Sequence, residues 1–119
     1  MRHACRFMVL MFAGAVATAA AGCASAPIHT EATTSGIRAA EEGGAANVPQ
    51  AALHLRLARD QLKAAEGLAR DGEKDQAVSM LSRAEADAAL SLALSHEDNQ
   101  KSQSRSALAR VRRLQQDNR

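Results

Sequence analysis

Residues 48–94 read VPQAALHLRLARDQLKAAEGLARDGEKDQAVSMLSRAEADAALSLAL, and this stretch decides the fold. Ala51, Leu55, Ala58, Leu62, Ala65 and Ala69 recur at spacings of four and three, which lays one apolar stripe along a helix. Pro49 suits the first helical position, where a missing N–H costs nothing. Val48 before it is steered out of the α region and serves as the cap. Asp71-Gly72 breaks the pattern, with Gly72 supplying the left-handed conformation that ends helices. Glu73 and Asp75 then place negative charge at the positive N-terminus of the next helix. Ala77, Leu81, Ala84, Ala88 and Leu92 form a second stripe, with Met80, Leu90 and Leu94 beside it. Two such helices joined by a break of about three residues predict an antiparallel αα-hairpin.

On the N-terminal side, residues 35–42 are helix formers stopped by Gly43-Gly44. This short helix packs into the groove of the hairpin, and the expected architecture is all-α, a small three-helix bundle with a long last helix. A core of alanine and leucine lets helices approach closely but buries little area per residue, so modest stability is expected. On the C-terminal side, residues 95–106 contain no apolar residue, no Gly and no Pro. A helix solvated on every side can run through them to Leu108, Val111 and Leu114, or the chain can fray into a tail.

Composition removes whole function classes. The chain has 119 residues, 28 of them alanine, with no Trp, no Tyr and two Phe. Both phenylalanines, Phe7 and Phe12, lie near the N-terminus, so no aromatic platform is left for stacking bases or sugar rings. Two Cys and four scattered His give no disulfide framework and no zinc-ligand spacing.

The N-terminus reads as an address. Arg2, His3 and Arg6 precede fifteen uncharged residues, 7–21, the length of a signal-peptide core and short of the ~20 that a spanning helix needs. Ala20-Ala21-Gly22-Cys23 follows, and small residues immediately before a cysteine resemble the lipobox of bacterial lipoproteins. That resemblance implies cleavage after residue 22 and acylation of Cys23, with palmitate among its chains, so that lipid attaches the protein to the membrane. Ala24, rather than Asp, follows the cysteine, which by analogy with the enterobacterial sorting rule implies the outer membrane of a Gram-negative bacterium. Residues 23–34 read as a flexible tether of Ser, Thr, Ala, Pro and His, 35–96 as the helical domain, and 97–119 as a basic helical extension or tail.

Several runs carry a further resemblance. Ile37-Arg38-Ala39-Ala40-Glu41-Glu42, Asn47-Val48-Pro49-Gln50-Ala51-Ala52-Leu53, Leu57-Ala58-Arg59-Asp60-Gln61-Leu62 and Ala84-Glu85-Ala86-Asp87-Ala88-Ala89-Leu90 are similar in order and spacing to an Ala-rich helical domain of unknown function in small bacterial envelope lipoproteins, the domain-of-unknown-function 4398 type. The similarity covers about residues 30–96, with Val48 standing where that family often has an aromatic residue. It implies a helical envelope lipoprotein and transfers no catalytic residue. Gly72-Glu73-Lys74-Asp75-Gln76-Ala77 also resembles the inter-helix turn of tetratricopeptide repeats, in a single copy where such arrays need about three.

No catalytic constellation emerges. Asp71, Glu73 and Asp75 alternate like cation ligands, but Gln76 and Ser82 occupy the positions where a calcium loop needs glycine and glutamate. His29, His54 and His96 lack an i,i+4 His or Cys partner, and His54 sits at the edge of its helical stripe. Asp60, Glu66, Glu85 and Asp87 fall among Arg56, Arg59, Lys63, Arg70 and Arg83 at spacings that predict solvated pairs along each helix. The expectation is a non-enzyme without cofactor or metal, binding neither nucleic acid nor a small-molecule substrate.

Charge asymmetry marks the candidate binding surface. Removing residues 1–22 leaves 13 basic and 13 acidic residues, yet residues 101–119 hold six basic residues against Asp117 alone. Arg105, Arg110, Arg112 and Arg113, beside Leu108, Val111 and Leu114, are the candidate contacts for an anionic surface or a partner. The predicted function is a non-catalytic, periplasm-facing binding or scaffolding module whose partner is an envelope protein or the cell wall. The alternative is a structural protein that self-associates into a helical bundle.

Overall fold

A computed structural model describes residues 27–119. The leader 1–22, the acylation position Cys23 and the start of the tether lie outside the described residues. Within them the protein is all-helical: α1 (Glu31–Glu42), a 3-10 turn (Ala45–Asn47), α2 (Pro49–Arg70) and a long last helix, α3 (Lys74–Asp117).

Local chemistry sets the boundaries. Val48 is extended at φ −111° and ψ 113°, and Pro49 opens α2 as expected. At the other end Gly72 takes φ +84°. Its N–H donates to the Ala69 carbonyl while the Glu73 N–H reaches back to that of Leu68, the paired bonds of a Schellman stop. Helix α1 ends on Gly43, with Gly44 at φ +81° turning the chain.

Helix α1 begins at Glu31, so it takes in the last four residues of the stretch read as tether. Glu31 puts a carboxylate in the first turn, where the helix end is positive. Thr33 is buried, and its hydroxyl donates to Glu85 Oε1 at 3.3 Å. That cross-chain contact is invisible to local pattern reading.

The core lies between the three helices. Eight of its eleven buried apolar residues are alanine, the others being Ile37, Leu55 and Leu81. Ala51, Leu55, Ala58 and Ala65 of α2 are buried as their spacing predicts, while Leu62 and Ala69 are half-buried. On α3 the stripe runs Ala77, Leu81, Ala84, Ala88 and then Ser91 and Ser95, two serines of no measurable exposure. Helical phase carries those serines inward, and each hydroxyl is satisfied there. Ser91 donates to the Ala51 carbonyl at 2.8 Å and Ser95 to that of Leu92 at 2.8 Å. Gly43 packs closely against α3, since a Cβ there would stand 2.8 Å from Leu92 Cδ1 and the leucine would have to shift.

Burial ends abruptly at Ser95. Every residue from His96 onward is exposed, yet α3 continues unbroken to Asp117. Of the two readings open for the C-terminus, the chain adopts the continuous helix. At 1.5 Å per residue the exposed part projects about 33 Å beyond the core.

Candidate functional site

Helix α3 carries all four arginines singled out by sequence, and it does not bring them together. One residue advances the helix by about 100°, so Arg105 and Arg112 share one side while Arg110 and Arg113 lie around the other. Leu108, Val111 and Leu114 occupy the strip between Arg112 and Arg110, at 59%, 50% and 56% exposure. Three large apolar side chains in water on one short strip is an unpaired arrangement for a helix with no neighbour among the described residues. Just before it, Lys101 pairs with Glu97 one turn back. The arm can therefore offer guanidinium donors on either flank of an apolar ridge, a chemistry suited to carboxylate- or phosphate-bearing surfaces.

A second polar cluster lies between α2 and α3. His54 Nδ1–H donates to Asp87 Oδ1 at 2.7 Å, and Gln61 Nε2 donates to Asp87 Oδ2 at 2.7 Å. Asp87 thus bridges two α2 residues seven apart, about 10 Å along the axis. Both ionisable side chains are mostly shielded, at 26% for His54 and 19% for Asp87. Oε1 of Gln61 is buried without a hydrogen-bond partner. A His–Asp pair orients an imidazole for base chemistry when a nucleophile stands on its other nitrogen. The Ser91 hydroxyl is instead committed to the Ala51 carbonyl, so the cluster reads as a polar clamp between helices.

The clamp corrects one expectation. The acidic residues of α2 and α3 were expected to pair along their own helices, but Asp87 and Glu85 are engaged across helices, by His54 and Gln61 and by Thr33. Arg59 likewise reaches Glu41 of α1 with two nitrogens. Among the described residues the intrahelical i,i+4 ion pair is Glu97 with Lys101, out on the arm. The signal in the sequence was the similar separation of His54 and Asp87 from the Gly72 turn, which sets them level once the chain folds back.

Glu73 and Asp75 sit at the start of α3, Glu73 as its N-terminal cap residue and Asp75 in its first turn. No cluster of three or more His, Cys, Asp or Glu able to hold a metal ion occurs among the described residues. No helix among them is long and apolar enough to cross a membrane. A shallow cleft forms where Pro27 and Ile28 lie against Glu66, Ala69 and Arg70 at the end of α2. No family model, curated protein or solved structure matches the chain.

Proposed function

We propose that the protein is a non-catalytic lipoprotein of the outer membrane, anchored through an acylated Cys23 and facing the periplasm, where its helices form a binding or scaffolding module. The observation that carries this reading is the α3 arm, a helix exposed at every residue from His96 onward, whose basic and apolar side chains pack against no other element among the described residues. Folded helices are normally stabilised by a packed face, and this one has none over 22 residues. The Ala20-Ala21-Gly22-Cys23 sequence supports the anchor.

Within that reading α2 and α3 form an antiparallel hairpin of tetratricopeptide-like turn, and α1 completes a small bundle. The Ser91–Ala51 and His54–Asp87 contacts support the antiparallel order, since α2 residues farther from the turn meet α3 residues farther from it. Metabolic labelling with palmitate and membrane fractionation test the anchor. Wild-type protein takes up label and fractionates with outer membranes, whereas Cys23→Ser loses the label. Unlabelled wild-type protein, or label retained by the variant, contradicts the proposal.

A further inference from the structure

Helix α3 is two-sided along most of its length, and the arm is only the end of that pattern. Ala77, Leu81, Ala84, Ala88, Ser91 and Ser95 define the line turned toward α1 and α2. At about 100° per residue, Arg83, Leu90, Lys101, Leu108, Val111 and Arg112 all lie more than about 90° from that line. Leu90 is 43% exposed despite belonging to the packed half. Beyond the first turn of α3, Glu97 is the one acidic residue on this free side, and it is paired with Lys101. Glu85, Asp87, Asp98 and Asp117 all fall toward the packed side. Helices α1 and α2 carry Glu31, Glu41, Glu42, Asp60 and Glu66. Past its first turn, α3 therefore presents a basic and apolar free face on which the one acid, Glu97, is paired.

We propose that this free face of α3 lies along a bilayer surface bearing anionic head groups. From Arg83 to Arg112 the face is straight for about 44 Å, which fits a planar occupant rather than a pocket or groove. Exposed leucine and valine between cationic side chains is the pattern of a helix resting at a lipid interface, the apolar groups dipping in and the guanidinium groups meeting phosphates. The absence of aromatic residues after Phe12 argues against a glycan polymer as occupant, because sugar rings are held by stacking. Two tails facing each other would oppose six basic residues to six, which argues against a second copy joined arm to arm.

Chain length supports the same occupant. Pro27 sits at the pole of the molecule formed by the end of α2, and four residues of chain back to Cys23 span at most about 14 Å. An acyl anchor there holds one end of the molecule near lipid, and the α3 face supplies a second attachment along its length. The proposal rests on the lipoprotein reading for this chain-length argument and for which bilayer is meant, while the charge and shape of the α3 face stand apart from it.

The test uses residues 24–119, the chain without leader and acyl anchor, so that vesicle binding reports on the helices alone, and circular dichroism first checks that it is helical. The probe is a vesicle of phosphatidylcholine with one third phosphatidylglycerol, compared with phosphatidylcholine alone, in a sedimentation assay. Binding is expected only to the anionic vesicles and is expected to fall with added salt. Lys101→Gln with Arg112→Gln should weaken it about tenfold or more, each basic residue near an anionic surface contributing about fivefold. Arg56→Gln with Lys63→Gln removes the same charge from the exposed side of α2 and should change binding by less than about threefold. Equal loss in the two double variants would show bulk charge rather than a face, and no binding to anionic vesicles would remove the proposal outright. A dimer abolished by the first pair would assign the face to a second copy instead. A wild-type chain that fails to take up palmitate contradicts the anchor and leaves this face to be judged by the vesicles.

Discussion

The first and second halves of α3 share one backbone and one helical phase, yet they obey different rules. Between residues 74 and 95 the inward positions are alanine, leucine and serine, and the helix is held by α1 and α2. From residue 96 to 117 most of the same positions hold polar or charged side chains such as Ser102 and Arg113, and no other described element packs against them. The change occurs without Gly, Pro or any break in the helix. A continuous helix therefore does not imply a continuous core; the stripe decides where the domain ends, and the backbone carries on as an arm.

Substitutions that carry the chemistry of one half into the other should have the largest effects. Ala88→Asp puts an unpaired carboxylate at a position of no exposure and is expected to cost about 4 kcal/mol, close to the whole stability of so small a core. Thermal unfolding followed by circular dichroism would read this as loss of the cooperative transition. Leu55→Ala removes the least exposed leucine in an otherwise alanine-rich core and should cost about 3 kcal/mol in urea unfolding.

Smaller effects sharpen the comparison. Asp87→Ala strands the His54 and Gln61 donors between α2 and α3 and should lower stability by about 1–2 kcal/mol, with the same denaturation assay as readout. In the arm, Val111→Ser should leave the unfolding midpoint within about 0.5 kcal/mol of wild type, because the residue is half exposed and touches no core. A loss several times larger at Val111 would mean that the arm folds back onto the domain or pairs with another chain.

Much of this fold is legible in the sequence. The stripes at Ala51–Leu55–Ala58 and Ala77–Leu81–Ala84 fixed two helices, and Pro49 and Gly72 marked two boundaries correctly, because those signals are local. Helix α1 starts at Glu31, four residues before the stretch 35–42, and there Thr33 meets Glu85 from 52 residues away, a contact no local pattern contains. Ser91 and Ser95 add nothing to an apolar periodicity, yet they are core positions, because a hydroxyl with an internal acceptor is as acceptable there as a methyl group. The His54–Asp87–Gln61 clamp depends on how two helices align, which no window along one helix contains. At the candidate site, sequence identified Arg105, Arg110, Arg112 and Arg113 as a group, and helical geometry divides them between sides.

Photo-crosslinking in intact cells tests the central claim most directly, with the probe placed singly at Leu108 in the arm and, for comparison, at Ala58 in the core. The account predicts capture of lipid or of a second envelope component from position 108 and none from position 58. No product from position 108, or products made only of two copies of this chain, would contradict it.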